Sequence, residues 1–320
     1  MKKILPSFIL AFALLALAAL SQAQAGLVSA QWLYDNLENP NLLLIDVRSS
    51  IDDGGDRASF EQAHIPGSLY SSYTDDGWRE NRGGVTGLLP SVVALERLVG
   101  SLGITPEHHV VVIPAGSGPT DFGSAARVYW TLKYLGHAEV SLLNGGFNGW
   151  QAEGFPVASG SPEYHPVRYT AEPQPALLAD IPEVESRLAS RPQSLVDARP
   201  EAFFTGQTQA GPVAAPGTLP GAINFEHQSF LVERNGVWYL DNALLNRQLA
   251  QKNLSLASDL VTFCNTGHWA ATDWFAFSEV AGLENIRLYD GSMAEWAHSG
   301  DRPLQVPPRG ISRLIQRLQN

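Results

Sequence analysis

The sequence predicts an α/β protein made of two tandem copies of one unit, each a mainly parallel sheet with helices on both faces. Three observations carry this expectation. The 320 residues suffice for two domains, each large enough to bury its own core. A series of short segments recurs in the same order in the two halves. Finally, β-branched or leucine-rich runs alternate with stretches whose apolar residues recur at three and four, the signature of strands alternating with helices.

In the first half, 42–48 reads LLLIDVR, 64–68 HIPGS, 111–114 VVIP and 140–150 VSLLNGGFNGW. Their counterparts are SLVDAR at 194–199, TLPGA at 218–222, VTFC at 261–264 and IRLYDGSMAEW at 286–296. Asp46 and Pro114 are 68 positions apart, and Asp197 and Cys264 are 67 apart, so the register is kept through the unit. A duplication explains this; chance agreement of an ordered series does not.

Taken in order, Lys2 and Lys3, an apolar run over 4–20 and the small residues Ala23 and Ala25 have the layout of a secretory signal ending near residue 25. The run is short for a bilayer span, and no later stretch is apolar enough to cross a membrane, so the mature chain is expected to be soluble and, in a bacterium, periplasmic. The first unit then occupies 26–155, with strands expected at 42–47, 110–113 and 140–143 and helices at 91–102 and 124–135. Residues 156–176, rich in Pro, Ser and Gly, follow neither period and are expected to be a linker. The second unit occupies 177–310, with strands at 194–198, 260–263 and 286–289 and helices at 243–252 and 270–281. Residues 311–320 form a tail.

Composition narrows the partners. Lys and Arg number 21 against 32 Asp and Glu, for a net charge of −11, so clustered positive charge for a nucleic-acid backbone is not expected. A single cysteine, Cys264, excludes an intramolecular disulfide and a structural cysteine-based zinc site. It lies at the C-terminal end of a buried-strand pattern and precedes Asn265-Thr266-Gly267-His268-Trp269 and a helical run. In parallel α/β sheets ligands bind at that end of the strands. A loop turning from strand to helix there can direct its N–H groups inward beside the helix's positive end, a cradle for an anion such as a thiolate. The alternative is an inert buried thiol that packs as a small hydrophobe.

These residues resemble a known family. Phe60-x3-His64-Ile65-Pro66-Gly67-Ser68 looks like the N-terminal signature of the rhodanese-like sulfurtransferases in their tandem two-domain form, and the stretch from Tyr289 to Trp296 looks like the C-terminal one, with Met293 where an aromatic is usual. The resemblance implies two rhodanese-like domains, the second catalytic through Cys264. The first is implied to be inactive, because Pro114 stands at the matching position, followed by a loop, Ala115–Gly123, expected to be about five residues longer. It further implies a Cys264 persulfide, loaded by a small anionic donor such as thiosulfate or 3-mercaptopyruvate and discharged to cyanide or a thiol, with no cofactor or metal required. A periplasmic protein is a further candidate acceptor.

For the site, the resemblance makes Cys264 the nucleophile and the N–H groups of 265–270 the anion cradle. It places Arg199 in the pocket to hold the donor; the other reading is a salt-bridge arginine. Asp197 is expected to support the turn. The loop, however, is neutral at Asn265 and Thr266, unlike the cationic loops of thiosulfate-using members or the Gly-Ser-Gly type of mercaptopyruvate-using ones. Two roles are open to His268, a pH-dependent positive charge or a solvent-facing helix cap. Trp269 either walls the pocket or packs the helix start.

Competing chemistries fail on residues. A C-x5-R phosphatase loop would need arginine at 270, where Ala stands. Ser117 lacks the G-x-S-x-G context, His108 and His109 are adjacent on a strand and face apart, and no G-x4-G-K-[ST] loop exists. The rival from another class is a binding or scaffold protein, or a partner-fed sulfur carrier, that keeps this fold.

Overall fold

The computed structural model describes residues 26–306 except 164 and 257; the expected signal segment and the tail lie outside the described residues. In the first domain the strands are β1 (Leu27–Val28), β2 (Leu42–Asp46), β3 (Ser68–Tyr70), β4 (Glu80–Arg82), β5 (Val85–Leu88), β6 (His109–Ile113) and β7 (Val140–Leu143). The helices are α1 (Ala30–Asn36), α2 (Arg57–Gln62), α3 (Val92–Ser101), α4 (Pro119–Tyr134) and α5 (Gly146–Ala152). A parallel sheet runs in the order β1-β7-β6-β2-β3, and β4 and β5 form a separate antiparallel hairpin.

The second domain repeats the plan with β8 (Leu195–Asp197), β9 (Ile223–Asn224), β10 (Leu231–Arg234), β11 (Val237–Leu240), β12 (Leu260–Phe263) and β13 (Ile286–Leu288). Its helices are α6 (Ile181–Ser190), α7 (Glu201–Phe204), α8 (Asn242–Gln251), α9 (His268–Phe275) and α10 (Ser292–Trp296). The parallel order is β13-β12-β8-β9, with β10 and β11 again a hairpin. Where the first domain has β1 beside β7, the second keeps a single parallel bridge, Leu178 to Leu288.

Local chemistry sets the element ends. Ser91 and Asp241 accept from Ala94 N and Leu244 N, capping α3 and α8. The fourth helix starts at Pro119, five residues before the apolar period becomes visible, because proline's fixed φ suits the first helical turn and Asp52 accepts from the N–H groups of Thr120 and Asp121. The expected helix over 270–281 begins two residues early, at His268, and ends in a π-turn over Ala276–Val280.

Two expectations change in the folded chain. Residues 156–176 are not a free tether: Ala158 bridges His64, Val167 N donates to Gly100 O, and Glu172 N and Gln174 N donate to Leu135 O and Tyr134 O. Nor are the cores wholly separate: beside a cluster made of first-domain residues alone and one made almost entirely of second-domain residues, a third is shared. Helices α4 and α9 cross between the domains, and one buried cluster runs from Val110 and Val112 through Phe122 and Tyr129 to Phe275 and Leu260. Tyr129 meets Phe275 edge-on at 4.8 Å and donates to Glu279 at 2.5 Å. An interface this apolar fixes the relative position of the domains.

Candidate active site

The strand β12 ends at Phe263, and the next residue, Cys264, is 1% exposed. The next three residues turn the chain into α9. Ser292 Oγ holds this turn by accepting from both Cys264 N and Gly267 N at 3.0 Å while donating to Tyr289 O at 2.7 Å. Gly267 has φ +71°, and a Cβ there would collide with Arg127 and with the backbone of Asp290, so the turn demands glycine. Helix α9 has no side-chain cap, and its first-turn N–H groups have no intrahelical partner. Its positive end therefore sits next to the sulfur.

A cavity of about 180 Å³ opens over the thiol. The second domain lines it with Cys264, Asn265, Thr266, His268 and Trp269, and the first domain with Ile51, Arg79 and Thr120. The site thus belongs to the interface, and three of the eight residues of its wall are invisible from the cysteine's own repeat.

Arg199 is absent from that lining. It is 2% exposed and forms a bidentate pair with Asp197, Nη2 to Oδ2 at 2.6 Å and Nε to Oδ1 at 2.9 Å, with a further bond to Gly217 O. Its remaining reach is to Asn265 Oδ1 at 3.4 Å, so it braces the loop from behind. Asp197 also accepts from Thr218 Oγ1 at 2.6 Å and from the Arg199 backbone. The first domain carries the same pair in Arg48 and Asp46, where no cysteine exists to serve, so the pair is part of the repeated fold.

His268 takes neither of the roles open to it in the sequence. Its Nδ1 lies 2.7 Å from Tyr73 Oη and its Nε2 lies 2.7 Å from Thr120 O, both in the first domain. A carbonyl can only accept, so Nε2 carries the hydrogen and Nδ1 accepts from the tyrosine. Burial, assisted by the charge of Arg79, pushes its pKa down to about 3, so the ring is neither a cation nor a solvent-facing cap. Trp269 takes both of the roles open to it: it walls the cavity and packs against the core, its ring flat on His227 at 4.8 Å and edge-on to Phe203. Asn265 is 8% exposed and passes its carbonyl to Ala294 N, while Thr266 lies against Gly87 of the opposite domain.

Sequence reasoning missed Ile51, Tyr73, Arg79 and Thr120. Nothing in a single sequence marks them, since they come from the repeat without the nucleophile, Thr120 from the first turn of α4 and the others from connecting segments of that repeat. Arg79 stacks over the Tyr73 ring at 4.7 Å and has a buried Nε without a partner.

The model of the rhodanese-like domain matches residues 29–153 and again 180–299. The chain belongs to the rhodanese family. It is similar to 3-mercaptopyruvate sulfurtransferase of Rattus norvegicus, 30% identical over 93% of this chain and 100% of the rat protein. It is equally similar to thiosulfate sulfurtransferase of Gallus gallus, 30% identical over 85% of this chain and 93% of that protein. The crystal structure of SseA from Escherichia coli, described as a 3-mercaptopyruvate sulfotransferase, superposes with a TM-score of 0.69 at 24% identity, over 84% of this chain and 98% of that one. This tandem rhodanese is accordingly a sulfurtransferase.

The first rhodanese domain shows what becomes of the cradle without its cysteine. There the carboxylate of Asp121 accepts from Ala115 N at 3.1 Å and Gly116 N at 2.7 Å, so an internal carboxylate occupies the amides that correspond in the repeat to those of Asn265 and Thr266. Burial raises Asp121 to about 7 despite these bonds. The loop following Pro114 is only one residue longer than its partner, 115–118 against 265–267, and not about five, because α4 begins at Pro119.

Proposed function

We propose that the protein moves a sulfane sulfur from a small anionic donor, thiosulfate or 3-mercaptopyruvate, to cyanide or a thiol through a persulfide on Cys264, and that it does so in the periplasm after removal of the 1–25 segment. The observation carrying this reading is the position of Cys264, at a strand end beneath a small cavity and against the uncapped start of α9. Relatives named for each of the two donors support the pair of donor classes without choosing between them.

In the first half-reaction the Cys264 thiolate attacks the outer sulfur of thiosulfate; the Cys–S bond forms, the donor S–S bond breaks, and sulfite leaves with the bonding pair. With 3-mercaptopyruvate the C–S bond breaks and the pyruvate enolate takes a proton from solvent. The persulfide anion is held by the loop amides and the end of the helix, fixed dipoles that need no reorganisation as the charge moves outward by one atom. Cyanide or a thiolate then attacks the outer sulfur and restores the Cys264 thiolate.

The test is the intact mass of the mature protein after thiosulfate, after 3-mercaptopyruvate, and after excess cyanide. A gain of one sulfur that cyanide removes, and that Cys264→Ser abolishes, is expected. A reduced, folded protein that gains no sulfur from either donor overturns the reading in favour of a scaffold or a carrier loaded by a protein partner.

A further inference from the structure

We propose that Arg79, delivered by the first domain, anchors the anionic group of the donor and sets the preference for charged over uncharged reagents at Cys264. This rests on the reading of Cys264 as the sulfur-accepting residue. Among the residues lining the cavity Arg79 carries the only positive charge: Asn265, Thr266 and Thr120 are neutral, and His268 has its ring committed to Tyr73 and Thr120. The four buried arginines are each paired, Arg48 with Asp46, Arg127 with Asp290, Arg187 with Glu183 and Arg199 with Asp197, whereas Arg79 is half-buried. Arg79 has no carboxylate partner among the described residues, in a chain of net charge −11, and its buried Nε has no acceptor.

Its placement is prepared as well as vacant of partners. The guanidinium lies 4.7 Å from the centre of the Tyr73 ring, and Tyr73 is itself fixed by His268, so a cation–π contact holds the plane while leaving the donor edge free. Its charge is felt inside the site, where it contributes to suppressing protonation of His268. A guanidinium edge matches a planar carboxylate or two oxygens of a sulfonate-like group with paired hydrogen bonds. The cavity of about 180 Å³ has room for roughly six waters at ~30 Å³ each, which suits a small donor such as thiosulfate or 3-mercaptopyruvate, whose sulfur lies within a few bonds of its anionic group. The neutral loop and the cation from the other domain are thus one arrangement: the charge that the loop lacks is supplied across the interface.

Two alkylating reagents of nearly equal size isolate the charge effect. Iodoacetate carries a carboxylate and iodoacetamide does not; in each case the Cys264 sulfur forms a bond to carbon and iodide leaves. The ratio of their rates at Cys264 is expected to fall about tenfold or more in Arg79→Gln, with partial recovery in Arg79→Lys, which keeps the charge but loses the fork. In steady state, KM for thiosulfate and 3-mercaptopyruvate should rise by a similar factor, with kcat at saturating donor within a few-fold of wild type. A damaged fold would instead slow both reagents and lower kcat. An unchanged reagent ratio and unchanged donor KM in Arg79→Gln overturn the assignment while leaving Cys264 in place. A ratio that falls in a protein that accepts sulfur from neither donor keeps Arg79 as an anion anchor and overturns the sulfurtransfer reading instead.

Discussion

Tyr73 of the first domain donates to His268 Nδ1 of the second at 2.7 Å, and this bond ties the wall of the cavity to the first turn of the helix behind the nucleophile. Both residues are buried, so neither can exchange its partner for water. Tyr73→Phe leaves Nδ1 buried without a donor and is expected to cost roughly 1–3 kcal/mol. The midpoint of guanidinium unfolding should fall accordingly, and an unchanged midpoint would show that the bond adds nothing.

The buried imidazoles give stability a defined pH dependence. Burial lowers His268 to about 3 and His227 to about 4, against an ordinary value near 6.5 in the unfolded chain. Above about 6.5 neither state binds the proton; below it the unfolded chain does and the native protein does not. Their contribution is therefore lost as pH falls from about 6.5 toward 4 and 3, by up to about 1.4 kcal/mol per pH unit for each ring. Unfolding free energies between pH 7.5 and 5 should show this slope, and His268→Gln should flatten it. An imidazole of His268 that titrates near 6.5 by NMR would contradict it.

Asp121 predicts the opposite trend in the first domain. Its native value of about 7 lies above the unfolded one, so its contribution is present at low pH and is lost as pH rises from about 4 to 7. The stability of Asp121→Asn relative to wild type should improve steadily across that interval. A difference independent of pH would place the carboxyl in a more polar setting than this one.

Ser292 sits at φ +50°, where its counterpart in the first repeat is Gly146 at φ +57°. Ser292→Ala loses the acceptor for Cys264 N and Gly267 N and keeps the strain; Ser292→Gly loses the acceptor but relieves the strain. Both should lower kcat by loosening the loop, and Ala should be the less stable of the two by about 1 kcal/mol in thermal or denaturant melts. Equal stability would mean that the backbone at this position is not strained.

Gly87, at φ +88°, lies in the first domain's hairpin, where a Cβ would come within 2.9 Å of Thr266. Gly87→Ala should displace the active loop, and kcat/KM should fall about tenfold or more while the first domain's fold persists. Wild-type kinetics in that variant would show that the loop yields without consequence.

The repeat, the alternation of strands and helices, and Cys264 at a strand end are all legible in the sequence because they rest on local period and on register, which neighbouring residues carry. The DxR triplets are legible too, but the sequence places Arg199 in the pocket, and only the folded chain shows Arg48 and Arg199 each paired with its own aspartate. What the sequence could not place is the far wall of the site. Asn144 bonds to Leu240 and Asp290 to Leu89 N, so the hairpin of each repeat covers the loop of the other. Only this reciprocal packing, driven by the shared apolar face of α4 and α9, carries Tyr73, Arg79 and Thr120 to a cysteine 144 to 191 positions away. By itself the sequence determined the two repeats and the nucleophile, since those depend on spacing along the chain. The tertiary structure decided which cation and which hydrogen bonds surround that nucleophile, because burial against the opposite domain fixes the charge state of His268 and the position of Arg79.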